Sequence, residues 1–222
     1  MKRQTSKSAF RPLLFTLVFA ATAAALLSAA CGRAAAAESP AKAKDASRHF
    51  VGIYKDTLVT ISGTSSLHNW TVKGGVIDGE ANITVDPKGK LELGGIQVSI
   101  PVVSLKSSEG SGMDKTMYDA MDKNHHPTVN YSLTKATASG PTSATAGPLH
   151  FDTVGQLTIS GQKRDVKLDV VVAINGSHLT VTTQASLKMT DYGIKPPVAM
   201  FGMVKSGDAV TVKAVWQLDE RK

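Results

Sequence analysis

The last third of the chain alternates apolar and polar residues with a period of two. Residues 166–174 and 179–187 place apolar side chains at every second position except Thr183, and Asn175-Gly176 stands between the two runs. Because successive side chains of a β-strand point to opposite faces, this pattern predicts two half-buried strands joined by a two-residue hairpin turn. A third alternating run at 210–218 predicts a closing strand. Such patterning is typical of an antiparallel sheet with one apolar face.

A change in the phase of the alternation predicts a bend. Leu91 and Leu93 are odd-numbered, whereas Ile96 and Val98, which follow Gly94-Gly95, are even-numbered. A β-bulge at the two glycines would absorb this shift and curve the sheet. Further strand-like runs bring the count to about eight, at 51–61, 70–85, 131–138 and 149–159. We therefore predict an all-β fold, an eight-stranded antiparallel barrel whose interior suits side chains or one small, elongated ligand.

One short segment departs from the strand pattern. Residues 113–122 carry Met113, Met117 and Met121 at a spacing of four, which places them on one face of a helix, while the charged residues between them mostly face water. We predict a short helix between two strands. Methionine is flexible and polarizable, so this stripe suits a cover over an apolar cavity. The stripe also fits ordinary core packing, which stays open as an alternative.

The first 37 residues are typical of an export signal. Four basic residues precede an apolar run at 13–30, and residues 1–37 contain no acid. Two processing routes stay open. A signal peptidase could cleave after Ala37, or Cys31 could be lipidated, since the residues before it resemble a bacterial lipobox. Lipidation would tether the protein to a membrane. A single membrane span is a third interpretation of the run. All three place the protein in the periplasm or elsewhere in the cell envelope.

The export signal also explains the charge of the chain. Five of the 25 Lys and Arg residues and none of the 18 acids lie in residues 1–37, so the remainder carries a net charge of about +2. The high pI therefore does not indicate nucleic-acid binding. Residues 38–48 have little to bury and are predicted to form a flexible tether, followed by one domain at 49–222.

Catalytic and metal-binding patterns are weak. His125-His126, with His68, His150 and nearby aspartates, could supply metal ligands, but no HExxH or similar spacing is present. The serine-rich turn before His68 lacks a nucleophile elbow of the GxSxG kind. His68 is better suited to bond a backbone carbonyl or a ligand head group. The sequence favours a non-catalytic protein without a metal, and a metal- or His-dependent envelope enzyme is the alternative.

Several segments resemble, in order, the YceI-like family of bacterial envelope proteins. They are residues 61–70, 100–107, the predicted helix at 113–122, 126–131, the hairpin at 155–168, and 189–194 with Gly207-Asp208. The resemblance covers roughly residues 50–218. It implies a lipocalin-like barrel whose cavity holds a long isoprenoid chain, either a polyprenyl lipid or the tail of a quinone, for carriage or storage. The apolar stretch at 196–203 departs from the more polar segment of many relatives.

An isoprenoid ligand needs few polar contacts. Each buried CH₂ contributes about 0.8 kcal/mol, so several isoprene units outweigh the bonds that a head group can form. No other cofactor is predicted. A barrel filled by its own side chains that acts as an interaction module, and pairing of two barrels as a homodimer, both stay open. The predicted ligand contacts are Met113, Met117, Met121, Trp70, Tyr131, Met200, Phe201 and His68.

Overall fold

The computed structural model describes residues 46–143 and 147–221. The predicted export signal, Cys31 and most of the predicted tether lie outside the described residues. No helix within the described ranges is long and apolar enough to span a membrane. The elements are β1 (Ala46–Ser65), β2 (Asn69–Gly74), β3 (Asp78–Val85), β4 (Leu91–Pro101), β5 (Lys106–Ser107), α1 (Ser111–Ala120), β6 (Thr128–Ala138), β7 (Leu149–Ile159), β8 (Gln162–Asn175), β9 (His178–Lys188), β10 (Val198–Ala199) and β11 (Val204–Glu220).

Eight of these strands form a closed antiparallel barrel. Neighbouring strands follow the order β1-β3-β4-β6-β7-β8-β9-β11, and β11 pairs with β1 to complete the circle. The predicted eight-stranded barrel with one short helix is therefore confirmed. Closure pairs the edges that an open sheet would expose. The short strands β2 and β5 extend the sheet beside the second half of β1, and β10 pairs with the start of β11.

Two bends shape the barrel. Strand β1 pairs with β3 over residues 46–51 and with β2 over residues 59–64, and its register against β11 shifts between Ile53 and Leu58. The bulge predicted at Gly94-Gly95 is present, because the β3–β4 register shifts there and Gly95 takes a φ of +57°. Leu93 and Ile96 are consequently both buried in the core despite their opposite phase.

The hairpin between β8 and β9 differs from the prediction by one residue. Asn175 pairs with His178, so the two-residue turn is Gly176-Ser177 rather than Asn175-Gly176. Gly176 takes a φ of +62°, a left-handed conformation that glycine adopts without steric cost at the first position of such a turn. The apolar faces stay in phase, because Ile174 pairs with Leu179.

One half of the barrel interior is filled by the protein's own side chains. Trp216 lies against Gly52, where an added Cβ would stand 2.7 Å from the indole Nε1. The same nitrogen donates a hydrogen bond to the carbonyl oxygen of Ile77 at 3.1 Å. Space for a ligand must therefore lie toward the other end. Fully buried residues of the packed half are Phe50, Ala81, Val172, Leu179 and Leu218.

Strand β1 begins inside the stretch predicted as a tether. Its first three residues, 46–48, belong to the predicted 38–48 segment. Arg48 explains the difference, because its guanidinium lies 4.9 Å from the centre of the Phe50 ring and 2.6 Å from the carboxylate of Glu220. These contacts attach the start of β1 to the end of β11.

Candidate functional site

Helix α1 covers the unfilled half of the barrel. It runs from Ser111 to Ala120, two residues earlier than predicted, because it starts directly after Gly110 and ends before Asp122, which takes a left-handed φ of +48°. Met121 consequently lies just past the helix but stays on the same side as Met113 and Met117, and all three are half-buried.

Polar contacts fix the helix to β5. Asp114, which the sequence pattern placed toward water, is instead buried and accepts a hydrogen bond from the Ser107 backbone N–H at 2.6 Å. Its carboxylate also lies 3.4 Å from the Nζ of Lys106. The hydroxyl of Tyr118 donates to the carbonyl oxygen of Leu105 at 2.8 Å. The helix is thus held by one side, and its methionine face points into the barrel.

The C-terminal end of the helix is fixed by the turn between β7 and β8. The Ser160 hydroxyl donates to the carbonyl oxygen of Met121 at 2.9 Å. The His126 ring lies against Gly161, whose φ is +74° and where an added Cβ would stand 2.6 Å from the ring. This contact gives His126 a structural role. His125 turns the other way, toward the carboxylate of Asp122 at 2.7 Å.

A cavity of about 180 Å³ lies between the methionine face and the barrel strands. Its wall is mainly apolar. The helix side contributes Met113, Met117 and Met121, and the strands contribute Ile61, Val72, Ile159, Leu187, Val210 and Val212. The segment between β9 and β11 adds Met189, Tyr192, Ile194, Pro197 and Val198.

Trp70 forms a flat part of the wall. It pairs directly with Gly63 on β1, and its indole lies so close that a Cβ at position 63 would overlap the ring. The indole Nε1 donates to the carbonyl oxygen of Thr64 at 3.0 Å. The polar edge of the ring is therefore satisfied by backbone, and its apolar face is available to the cavity.

His68 lies at the mouth of the cavity and is exposed. Its Nδ1 donates to the backbone carbonyl oxygen of Asn69 at 2.9 Å, the type of bond predicted for it. Its Nε2 lies 3.7 Å from the carboxylate of Glu109, which also lines the cavity. Polar groups are thus found at the mouth, where a ligand head group would meet water.

Of the predicted ligand contacts, Tyr131 and Phe201 lie away from the cavity, and Met200 has no described side chain. Tyr131 lines a second depression, whose lining residues are mostly polar, and its ring lies against Gly155. Burial raises the pKa of the Tyr131 hydroxyl. Phe201 is fully exposed at 107 % and does not line the cavity. The side chain of Met200 lies outside the described part of the structure.

Several wall residues were missed by the sequence reasoning. Leu187, Val210 and Val212 belong to alternating strands whose apolar face was recognised. The alternation marks that face but not the end of the barrel at which each residue lies. Tyr192 and Ile194 lie in an irregular segment without a periodic signal.

The predicted metal alternative has no assembled site in the described residues. Within residues 46–143 and 147–221, no three His, Cys, Asp or Glu side chains come close enough together to hold a metal ion.

The fold and the cavity define a closed eight-stranded barrel with an internal apolar space beneath one helix. The chain belongs to the YceI-like family, since the YceI-like domain matches residues 49–218. No curated protein sequence matches the chain.

Solved structures share this fold. BcnA of Burkholderia cenocepacia is 18 % identical, with a TM-score of 0.57, over 75 % of this chain and 98 % of its own. A polyisoprenoid binding domain from Saccharophagus degradans, implicated in plant cell wall breakdown, is 13 % identical, with a TM-score of 0.57, over 78 % and 98 %. The YCEI protein of Campylobacter jejuni is 16 % identical, with a TM-score of 0.53, over 68 % and 85 %.

Proposed function

We propose that this protein binds one long-chain isoprenoid lipid in the cavity beneath α1, without catalysis, for carriage or storage in the cell envelope. The observation that carries the proposal is the apolar wall shared by the methionine face and the inward residues of β1, β9 and β11. Membership of the YceI-like family supports it, as does the polyisoprenoid binding described for the Saccharophagus degradans domain.

The size of the cavity bears on how a long chain would be held. A volume of about 180 Å³ is below the roughly 300 Å³ at which pockets for drug-sized ligands begin. A long isoprenoid must therefore displace part of the cover or extend through the mouth. Methionine side chains have three rotatable bonds and adapt to irregular shapes, so Met113, Met117 and Met121 are the groups that would move. Each CH₂ buried by that movement contributes about 0.8 kcal/mol.

The polar groups at the mouth suit a head group rather than a reaction. His68 is bonded to a backbone carbonyl oxygen, and the nearest carboxylate is that of Glu109. Neither group is buried, and neither is paired with a nucleophile of the kind that acyl or phosphoryl transfer requires. We therefore place the isoprenoid tail in the cavity and its head group beside His68.

Location follows from the predicted export signal. We propose that the protein is exported to the envelope, with either an acylated Cys31 or a mature terminus at Glu38. Mass spectrometry of the N-terminal peptide separates these routes, because only lipidation adds acyl chains to Cys31. Both routes remove residues 1–30, so a mature protein that retains them would contradict both and would favour the single membrane span.

The test of the binding proposal uses charge on the cover. Replacing both Met117 and Met121 by Asp puts two carboxylates against the cavity, and burying a charge beside an apolar chain is strongly unfavourable. We expect the isoprenoid that co-purifies with the protein, measured by mass spectrometry of organic extracts, to fall at least about tenfold.

A matched control carries the same change in charge away from the cavity. Ser111→Asp with Asn124→Asp alters exposed positions at the two ends of the helical segment. This double variant is expected to keep the wild-type isoprenoid content. A folded Met117→Asp/Met121→Asp protein that retains its lipid contradicts the proposed site, and a wild-type barrel that never carries an isoprenoid contradicts the proposed function.

A further inference from the structure

Four large apolar side chains are exposed around the cavity mouth. Leu67, Val198, Phe201 and Met203 expose between 59 and 107 % of their surface, and we call them the apolar rim. Backbone bonds bring their two loops together, since the Ser66 N–H donates to the carbonyl oxygen of Lys205 at 2.9 Å. Clustered exposed apolar residues of this kind mark surfaces that contact a partner or a membrane.

The rim is continuous with the cavity. Val198 belongs both to the rim and to the cavity wall, and Val204, which follows Met203, lines the cavity as well. Phe201 takes a φ of +54°, a left-handed conformation that is unfavourable for a bulky residue and that holds its ring out in solvent. The exposed apolar surface thus lies where a lipid would enter or leave.

Lysines border the rim. Lys195 and Lys205 are exposed, and neither forms an ion pair with any residue in the described ranges. Lys188 lies at the cavity edge. The nearby carboxylate of Asp208 accepts two hydrogen bonds from Thr190, at 2.9 and 2.7 Å, which lower the pKa of Asp208. An apolar centre bordered by the exposed side chains of Lys195 and Lys205 matches a bilayer surface that carries anionic head groups.

We propose that the apolar rim and its lysines dock the barrel, mouth first, onto an anionic bilayer. Vesicle docking follows from the surface alone, whereas passage of an isoprenoid between cavity and membrane rests on the proposed function. A second copy of the chain is a poorer fit. An isologous dimer through this face would bring the lysines of one copy toward those of the other, and like charges across an interface oppose binding.

The experiment measures co-sedimentation of the exported protein with phosphatidylethanolamine vesicles, with and without phosphatidylglycerol. A Cys31→Ser background removes any contribution from an acyl anchor. The wild-type surface is expected to bind the phosphatidylglycerol vesicles more tightly, and added salt is expected to weaken this binding. Phe201→Ser with Met203→Ser is expected to reduce binding at least about tenfold.

Charge reversal supplies a matched pair on one strand. Lys205→Glu, beside the rim, is expected to weaken binding to the anionic vesicles by at least about fivefold. Lys213→Glu makes the same change on the outer wall, roughly 26 Å further along β11, and is expected to leave binding unchanged. Equal effects of the two charge reversals would overturn the proposal, because they would show that the vesicles attract the net charge of the protein and not one particular face.

Isoprenoid content, measured on the same proteins, separates this inference from the proposed function. The Phe201→Ser/Met203→Ser variant is expected to keep its isoprenoid, since neither residue lines the cavity. If a barrel that holds no isoprenoid still binds vesicles through the apolar rim, the docking proposal is supported and the proposed function is contradicted. Vesicle binding that does not depend on the rim, or rim-dependent self-association without vesicle binding, would overturn docking.

Discussion

Two leucines on strand β9 test the division of the barrel into a packed half and a cavity half. Leu179 is 0 % exposed within the packed half, whereas Leu187, eight residues later on the same strand, lines the cavity. Leu→Ala at a closed site loses the transfer free energy of the side chain and leaves a new void, so Leu179→Ala is expected to cost about 3–4 kcal/mol.

Leu187→Ala only enlarges a space that already exists. One side of this leucine already lacks packing partners. The substitution therefore loses only about half of the transfer free energy of the side chain and is expected to lower the free energy of unfolding by roughly 1 kcal/mol. For a domain of this size, 1 kcal/mol corresponds to about 2–4 °C in Tm, which predicts a loss of about 10 °C for Leu179→Ala and about 3 °C for Leu187→Ala.

The assay is urea unfolding of protein that has been extracted with organic solvent and refolded, because a bound lipid stabilises the folded state by itself. Reloading with isoprenoid is expected to raise the cost of Leu187→Ala, since the substituted side chain no longer contacts the ligand, and to leave the cost of Leu179→Ala unchanged. Equal costs in the lipid-free protein would refute the division.

Three further predictions concern single contacts. Gly63→Ala is expected to push the Trp70 indole out of the wall, which would shift its fluorescence and lower isoprenoid content, and an unchanged emission spectrum would contradict the contact. Thr190→Val removes the hydrogen bond from the Thr190 hydroxyl to the carboxylate of Asp208. NMR titration is expected to find the pKa of Asp208 below the ordinary value of about 3.9 in the wild type and closer to that value in the variant. Because the pKa of Asp208 is lower in the folded protein, its carboxylate stabilises the fold at a pH above the unfolded pKa. This stabilisation is lost as the pH falls from the unfolded pKa through the folded pKa. Thr190→Val is therefore expected to lose less stability than the wild type between those two pKa values. Trp216→Phe leaves a buried carbonyl oxygen without its donor and is expected to cost about 1–3 kcal/mol in urea unfolding, and a cost near zero would show that the bond at 3.1 Å contributes nothing.

The barrel could be predicted because its signals are local. The alternation along β8, β9 and β11 identifies their apolar faces, and the phase change at Gly94-Gly95 locates a bulge that the structure contains. The hairpin turn was wrong by one residue because Asn-Gly and Gly-Ser both fit a two-residue turn in the same phase. Pairing along the whole strand, with Ile174 opposite Leu179, selects the observed register.

The site could be predicted only in part. The spacing of Met113, Met117 and Met121 marked a face that lines the cavity, but no pattern distinguished Leu187 from Leu179 on the same side of one strand. Position along the barrel depends on closure between β1 and β11, which is a long-range property. The apolar stretch at 196–203 was recognised as unusual. Whether Phe201 points inward or outward depends on its left-handed φ, which the sequence does not reveal.

The central claim is that an isoprenoid chain occupies the space beneath α1. Its most direct test is electron density from crystals of the protein isolated from its native envelope without organic solvent. We expect continuous, elongated density with regularly spaced methyl branches that runs from between Met117 and Leu187 toward His68 at the mouth, with the methionine side chains moved aside from their present positions. A cavity closed by those methionines, in protein shown by mass spectrometry to carry its lipid, would contradict the claim.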